Sequence, residues 1–253
     1  MLRNGRWQTM SEPINYDRPF AGVGPGASFA ACWCEEHPEG EIGLIPCADG
    51  GSCLEDWTPG GQLFDHAVAQ TKLAQRISIV DGILWHQGET DCAAERAAAY
   101  EEKLDAMVSS LRTELSLEHV PLILGGLGDY LPQCTLHDYF VNGPEVTARL
   151  RHYAETHENC FFVTAEGLKP NQDMLHFDAP SQRILGARYY AAFKNNASVY
   201  EPLQDEQKIL EAQHAYLEQP TEKKIEMLRQ QMNEGRITKQ EFSYRMDCLI
   251  SSM

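Results

Sequence analysis

Four apolar runs constrain this chain more than any other feature: residues 42–48 (IGLIPCA), 77–86 (ISIVDGILWH), 120–127 (VPLILGGL) and 160–165 (CFFVTA). Each is nearly continuous instead of alternating, which is the pattern of a strand covered on both faces. Helical periodicity fills the intervals. Residues 61–76 place Leu63, Val68 and Leu73 on one side, and residues 93–115 do the same with Leu104, Met107, Val108 and Leu111. A third helix is expected over 144–157. A fourth is expected over 180–197, with Asp178 as its N-cap and Pro180 in its first turn. Strands alternating with helices predict an α/β fold of three layers around a parallel sheet.

Charge and cysteine content then narrow the partners. The 253 residues carry 21 Lys+Arg against 37 Asp+Glu, a formal net charge of −16. Such a chain repels phosphate backbones and anionic lipid, so neither nucleic acid nor a membrane surface is expected as a partner. No apolar run is long enough to span a bilayer, and the first ten residues lack the apolar core of a secretory signal. The 8 cysteines are scattered without a Cys-x-x-Cys pair. They are expected to be reduced thiols of a cytoplasmic protein. Cys32 and Cys34 have no second pair and no histidine at ligand spacing, so no metal is expected.

Beyond about residue 204 the strand signal stops, which divides the chain into 1–203 and 204–253. Ile225, Leu228 and Met232 recur at helical spacing, Gly235 marks a stop, and Thr238 is placed to cap a helix through Phe242, Tyr244, Met246 and Ile250. The turn Gly235-x-Ile-Thr-x-x-Glu-Phe resembles that of SHOCT-type short C-terminal modules. This helical hairpin is expected to pack on the body or to mediate self-association into a homo-oligomer.

In open α/β sheets, ligands gather beyond the C-terminal ends of the strands. The first run is followed by Asp49-Gly50-Gly51-Ser52, whose glycines allow backbone N–H groups to approach an oxyanion, or simply make a tight turn. The second leads into His86-Gln87-Gly88-Glu89-Thr90-Asp91. Gln87 offers two N–H donors to developing negative charge, while Glu89, Thr90 and Asp91 are also placed to cap the next helix. Past the fourth run, Asp173 precedes His176 by three residues. At that spacing a carboxylate can accept from the imidazole Nδ1–H and leave Nε2 as a base. Trp57 and Trp85 either wall a sugar pocket or pack in the core.

These stretches together resemble the SGNH-hydrolase superfamily. Within it they are similar to the branch holding carbohydrate esterase family six acetylxylan esterases and sialate O-acetylesterase-like proteins. The likeness runs from about Arg3 to Phe193, with three motifs in the right order. It implies a three-layer, flavodoxin-like hydrolase with sheet order 2-1-3-4-5, and a serine esterase that removes acetyl groups from a small acetylated carbohydrate. By the same resemblance, Gly50 or Gly51 and Gln87 form the oxyanion hole. Asp173 and His176 are the acid–base pair, and Glu89 shapes a pocket that His86, Trp57 and Ser52 also line. No cofactor or metal is implied.

One element of that pattern is absent from the sequence. The resembling proteins carry their nucleophile in a Gly-Gln-Ser-Asn-Met motif after the first strand, and no such motif occurs here. Ser52 is near the site, but its expected task is to satisfy the loop backbone. The expectation is therefore a chain that starts at an internal methionine, lacks the first strand, and has almost no esterase activity as written. The alternative is a non-catalytic carbohydrate-binding or scaffold protein that keeps the pocket.

Overall fold

The computed structural model describes residues 1–8, 10–15, 18, 21–134, 137–217, 221–233, 235 and 237–251. The chain divides into two compact units, Met1–Glu206 and Gln207–Met253. The first opens with a short hairpin of β1 (Leu2–Arg3) and β2 (Arg6–Trp7), turned by Asn4 and Gly5 at φ of 51° and 70°. Two left-handed residues in succession suit a tight hairpin turn, which is why Asn-Gly stands there. Helices α1 (Pro25–Glu36) and α2 (Gln62–Ala74) follow, then β3 (Ile83–Trp85), α3 (Ala94–Leu115) and β4 (Leu122–Gly125). A single turn, α4 (His137–Phe140), leads to α5 (Gly143–Thr156), β5 (Cys160–Val163) and α6 (Ala179–Asn195). Asp178 caps α6, its carboxylate accepting from the Ser181 N–H at 2.8 Å.

The central sheet is parallel with order β3-β4-β5, pairing Ile83 with Leu122 and Leu122 with Cys160. Every residue of β4 is buried, so both faces of the sheet are covered. Helix α6, backed by α1, packs on β4 and β5, and so does α5, backed by α3. The α1–α6 contact is unusually close. Ser28 donates to the Arg183 carbonyl at 2.8 Å, and a Cβ on Gly186 would lie 1.9 Å from the Ser28 Oγ. Glycine at 186 is thus a packing requirement. Arg188 of α6 is 1% exposed and donates to the carbonyls of Thr164 and Glu166 and to the Glu206 carboxylate. Those bonds satisfy a buried guanidinium and fasten the segment leaving β5.

Two expectations are corrected. Residues 42–48 are extended but form no strand among the described residues. A strand exists only through a ladder, and among the described residues this segment's one backbone bond to another part of the unit runs from the Leu2 N–H to the Leu44 carbonyl at 2.7 Å. The second run shortens to β3 because the end of α2 claims its start. The N–H groups of Ile77 and Ser78 both bond back to the Ala74 carbonyl. Ile77 and Ile79 are left 78% and 84% exposed.

The second unit contains most of α7 (Glu206–Leu217), then α8 (Thr221–Asn233) and α9 (Lys239–Ser251), with α8 and α9 packed together. Gly235 sits at φ 69° after α8, its N–H bonding to the Met232 carbonyl, and the Thr238 hydroxyl caps α9 by accepting from the Glu241 N–H at 3.1 Å. Among the described residues, no helix is long and apolar enough to cross a membrane.

Candidate active site

The site is assembled beyond the C-terminal ends of β3, β4 and β5, and it has two differently built halves. The first lies where β3 ends. Gln87 is 8% exposed, and its amide nitrogen donates to the Ser52 carbonyl at 2.9 Å and to Asp91 Oδ2 at 2.6 Å. The Gln87 carbonyl oxygen lies within hydrogen-bond reach of the Tyr100 hydroxyl, which also donates to the Gln87 backbone carbonyl at 2.8 Å. Both amide N–H groups therefore face protein acceptors instead of the pocket. Asp91 is completely buried, and the same Oδ2 accepts from the Leu54 N–H at 3.0 Å. Burial pushes its carboxyl above the usual aspartate value, against the opposing pull of the Gln87 and Leu54 bonds.

This network fixes the loop that follows residues 42–48. The Ser52 hydroxyl donates to the Asp49 carbonyl at 2.8 Å and accepts from the Trp57 indole N–H at 3.1 Å, so it is engaged inside its own loop. Trp57 is buried with its ring edge-on to Trp85 at 5.3 Å, and both indoles pack inward. Gly51 adopts φ 82°, and among the described residues its N–H meets no protein acceptor. The Gly50 carbonyl accepts from Arg18, which also pairs with Asp49. Beside this loop opens a cavity of about 370 Å³, lined by Arg18, Gly51, Ser52, Glu55, Asp56 and Gln62 among others. Lys103 holds the Glu55 carboxyl down at about 2.

The second half is the loop between β5 and α6. Asp173 Oδ1 accepts from the N–H groups of Leu175 and His176, both at 3.0 Å, while Oδ2 accepts from His176 Nδ1 at 2.7 Å. The turn closes through Met174 at φ 56°, with the Asn171 N–H donating to the His176 carbonyl at 2.6 Å. Burial alone would raise the Asp173 carboxyl, but the bonds from the His176 ring and the two backbone N–H groups outweigh it, and the net shift is downward. The His176 side chain is 59% exposed. Nδ1 is occupied by the carboxylate, which leaves Nε2 available as a base.

Side-chain packing joins the halves. His86, directly after β3, lies 5.5 Å from the ring of Phe177, the neighbour of His176. Tyr130, beyond β4, packs edge-on to Phe177 at 5.8 Å and donates to the Leu175 carbonyl at 3.3 Å. Glu89 approaches His86 Nε2 at 3.6 Å. Burial pushes His86 below the usual histidine value, against the pull of Glu89 toward the charged form, so the ring is neutral near pH 7. Of the residues expected from sequence, Gly51, Ser52, Trp57 and Gln87 thus share one bonded loop system. Asp173 and His176 form the pair, and His86 stands between the two groups. Sequence reasoning treated Asp91 only as a helix cap; its burial depends on the fold, and no local pattern announces it. Four thiols, buried Cys32, Cys53 and Cys92 and partly buried Cys47, are pushed up by burial to between about 11 and about 12 and remain neutral. Among the described residues, no group of three His, Cys, Asp or Glu side chains could hold a metal ion.

Comparison with known families decides what this arrangement belongs to. Residues 1–195 match the family described as "Carbohydrate esterase, sialic acid-specific acetylesterase". The chain belongs to this family. A relative from Arabidopsis thaliana, named a probable carbohydrate esterase, is 29% identical over 201 residues, covering 76% of this chain and 72% of the relative. An X-ray structure of an Arabidopsis thaliana protein at 1.6 Å resolution superposes with a TM-score of 0.67 at 28% identity, covering 76% of this chain and 77% of that one. The protein is a mixed α/β protein whose parallel sheet and flanking helices agree with a three-layer hydrolase fold.

Proposed function

We propose that this protein is a serine O-acetylesterase acting on acetylated sugars or short oligosaccharides, in the manner of acetylxylan esterases. The observation that carries the reading is the Asp173–His176 pair, bonded at 2.7 Å with Nε2 left available beyond the end of the sheet. In this reading a serine hydroxyl attacks the acetyl carbonyl as His176 Nε2 takes its proton. The same nitrogen then protonates the departing sugar alcohol, and water releases acetate by the reverse sequence. Asp173 keeps the ring in the right tautomer and favours the imidazolium. The Gly51 N–H is the oxyanion donor, with Gln87 contributing only when it releases one of its two present acceptors.

Among the described residues, neither Ser28 nor Ser52 presents an unengaged hydroxyl. Ser28 is buried between α1 and α6, and Ser52 is engaged by Asp49 and Trp57. The reading therefore assigns the sequence given almost no turnover, and its test supplies the attacking hydroxyl on an added Gly-Gln-Ser-Asn segment. The test is acetate release from acetylated xylose by three proteins: this chain, a version extended upstream through such a segment, and that version carrying His176→Ala. Turnover in the second and a drop of about a hundredfold or more in the third support the reading. Undiminished turnover in the third overturns the role of His176. Saturable sugar binding without turnover in any of the three favours the non-catalytic alternative.

A further inference from the structure

At the opposite end of the sheet lies a second cavity, of about 520 Å³, that the esterase reading does not use. Its walls come from the last turns of α1 and α6 and from Asp81 and Pro121, which precede β3 and β4. Strands of three and four residues separate it from the candidate active site, so about 10 Å of sheet stands between the two. A ligand held here would not touch His176.

The floor is aromatic and held rigidly. Phe29 packs edge-on against both Tyr190 and Phe193, with centroids at 5.8 and 5.5 Å, so neither ring can turn without disturbing the α1–α6 seam. Gly82 admits Phe193 against the start of β3, where a Cβ would stand 3.1 Å from the ring. Trp33 is half-buried and carries His37 stacked on it at 4.3 Å and 13°. Among the described residues, none accepts a hydrogen bond from the Trp33 indole N–H.

The rim is polar and supplies both donors and acceptors. Glu36 and Lys194 pair at 2.7 Å across the cavity wall, which fixes two long side chains at the edge. Asp81 and Asn196 are exposed, and among the described residues their side chains have no hydrogen-bond partner. With Lys194 already paired, Asp81 leaves the cavity net negative, which disfavours phosphates and sugar acids. Fixed aromatic faces ringed by a carboxylate, an amide and an indole N–H suit a flat, uncharged, polyhydroxylated ring. Its C–H face lies on the aromatics while neighbouring hydroxyls bond the rim.

We propose that this cavity is a second carbohydrate-binding site, taking pyranose units of a neutral glycan, with Trp33 and Phe193 as platform and Asp81 and Asn196 as hydroxyl partners. Such a site would hold a polymeric or oligomeric substrate on the protein independently of hydrolysis. The probes are xylotriose and cellotriose, titrated into the full chain while the Trp33 indole signal is followed by NMR. Saturable shifts that centre on Trp33 are expected. Asp81→Ala, at an exposed position that does not threaten the fold, should weaken binding about tenfold, and Trp33→Ala should abolish it, while His176→Ala leaves it unchanged. Three outcomes overturn the proposal: no saturable binding, binding insensitive to Asp81→Ala, or binding lost with His176→Ala. The last would place the sugar at the candidate active site and leave the esterase reading intact.

Discussion

The two halves of the candidate active site are built on opposite principles. Around Gln87 and Asp91 the groups are buried and their bonds reach Ser52, Leu54 and Tyr100 across longer sequence separations, while Asp91 Oδ1 has no partner among the described residues. The bonds that the Asp173 carboxylate accepts span three residues or fewer, and the His176 side chain is largely exposed. Leaving buried polar groups unpaired is costly, so the residues of such a network answer first to stability. An exposed pair contributes little to stability and is free to be chosen for chemistry. The contrast separates what a substitution does to the fold from what it does to turnover.

The sharpest test of that contrast is the pair Gln87→Ala and His176→Ala. Removing the Gln87 amide strips a partner from the Ser52 carbonyl, from Asp91 Oδ2 and from the Tyr100 hydroxyl, all inside the protein. The expected loss is about 2–4 kcal/mol, read as a lower urea midpoint with an unchanged slope. His176→Ala should shift the midpoint by less than about 0.5 kcal/mol, because the ring is exposed and its partner stays solvated. Equal losses in the two variants would break the comparison.

How much of this was legible in the sequence follows the same division. The Asp173–His176 pair is a local turn, and a spacing of three residues already contains its geometry. The hairpin turned by Asn4-Gly5 went unread from the sequence, although that dipeptide suits such a turn. The strands β4 and β5 could be read as buried from composition alone, because helices cover both of their faces. The Gln87–Asp91 network was not legible. Whether Gln87 donates to an oxyanion or to Ser52 depends on where a loop 35 residues earlier in the chain is placed. The same reason defeated the strand expected at 42–48, whose hydrophobicity is right but whose ladder depends on a neighbour that a single segment cannot reveal.

A smaller effect is expected in the loop bonded to Gln87. Gly51 has φ 82°, and a Cβ there would meet nothing within 4 Å. Gly51→Ala therefore introduces backbone strain without a steric clash, and the expected cost is about 1 kcal/mol. If the Gly51 N–H serves as the oxyanion donor, turnover in an active version should fall by much more than this stability loss explains. Proportionate losses would assign Gly51 to the turn alone.

The smallest effect concerns the sign of a slope. Asp91 has a folded-state carboxyl raised above its ordinary value of 3.8, chiefly by burial, so the folded chain releases that proton later than the unfolded chain does. Between the two values the folded state binds more protons, and stability must fall as pH rises through that window. Below 3.8 the carboxyl is neutral in both states, and above the folded value it is charged in both, so the contribution is flat on either side. Asp91→Asn cannot titrate. The stability difference between the parent and this variant should therefore be most favourable to the parent at the acid end, and should decline toward neutral pH. Urea midpoints of both proteins across that range isolate the one group, since every other carboxylate is common to the two. A difference that grows with pH would mean that the Gln87 and Leu54 bonds, not burial, govern Asp91. The buried half of the site would then be a stabilised anion set beside the oxyanion loop, which is electrostatically the wrong place for one.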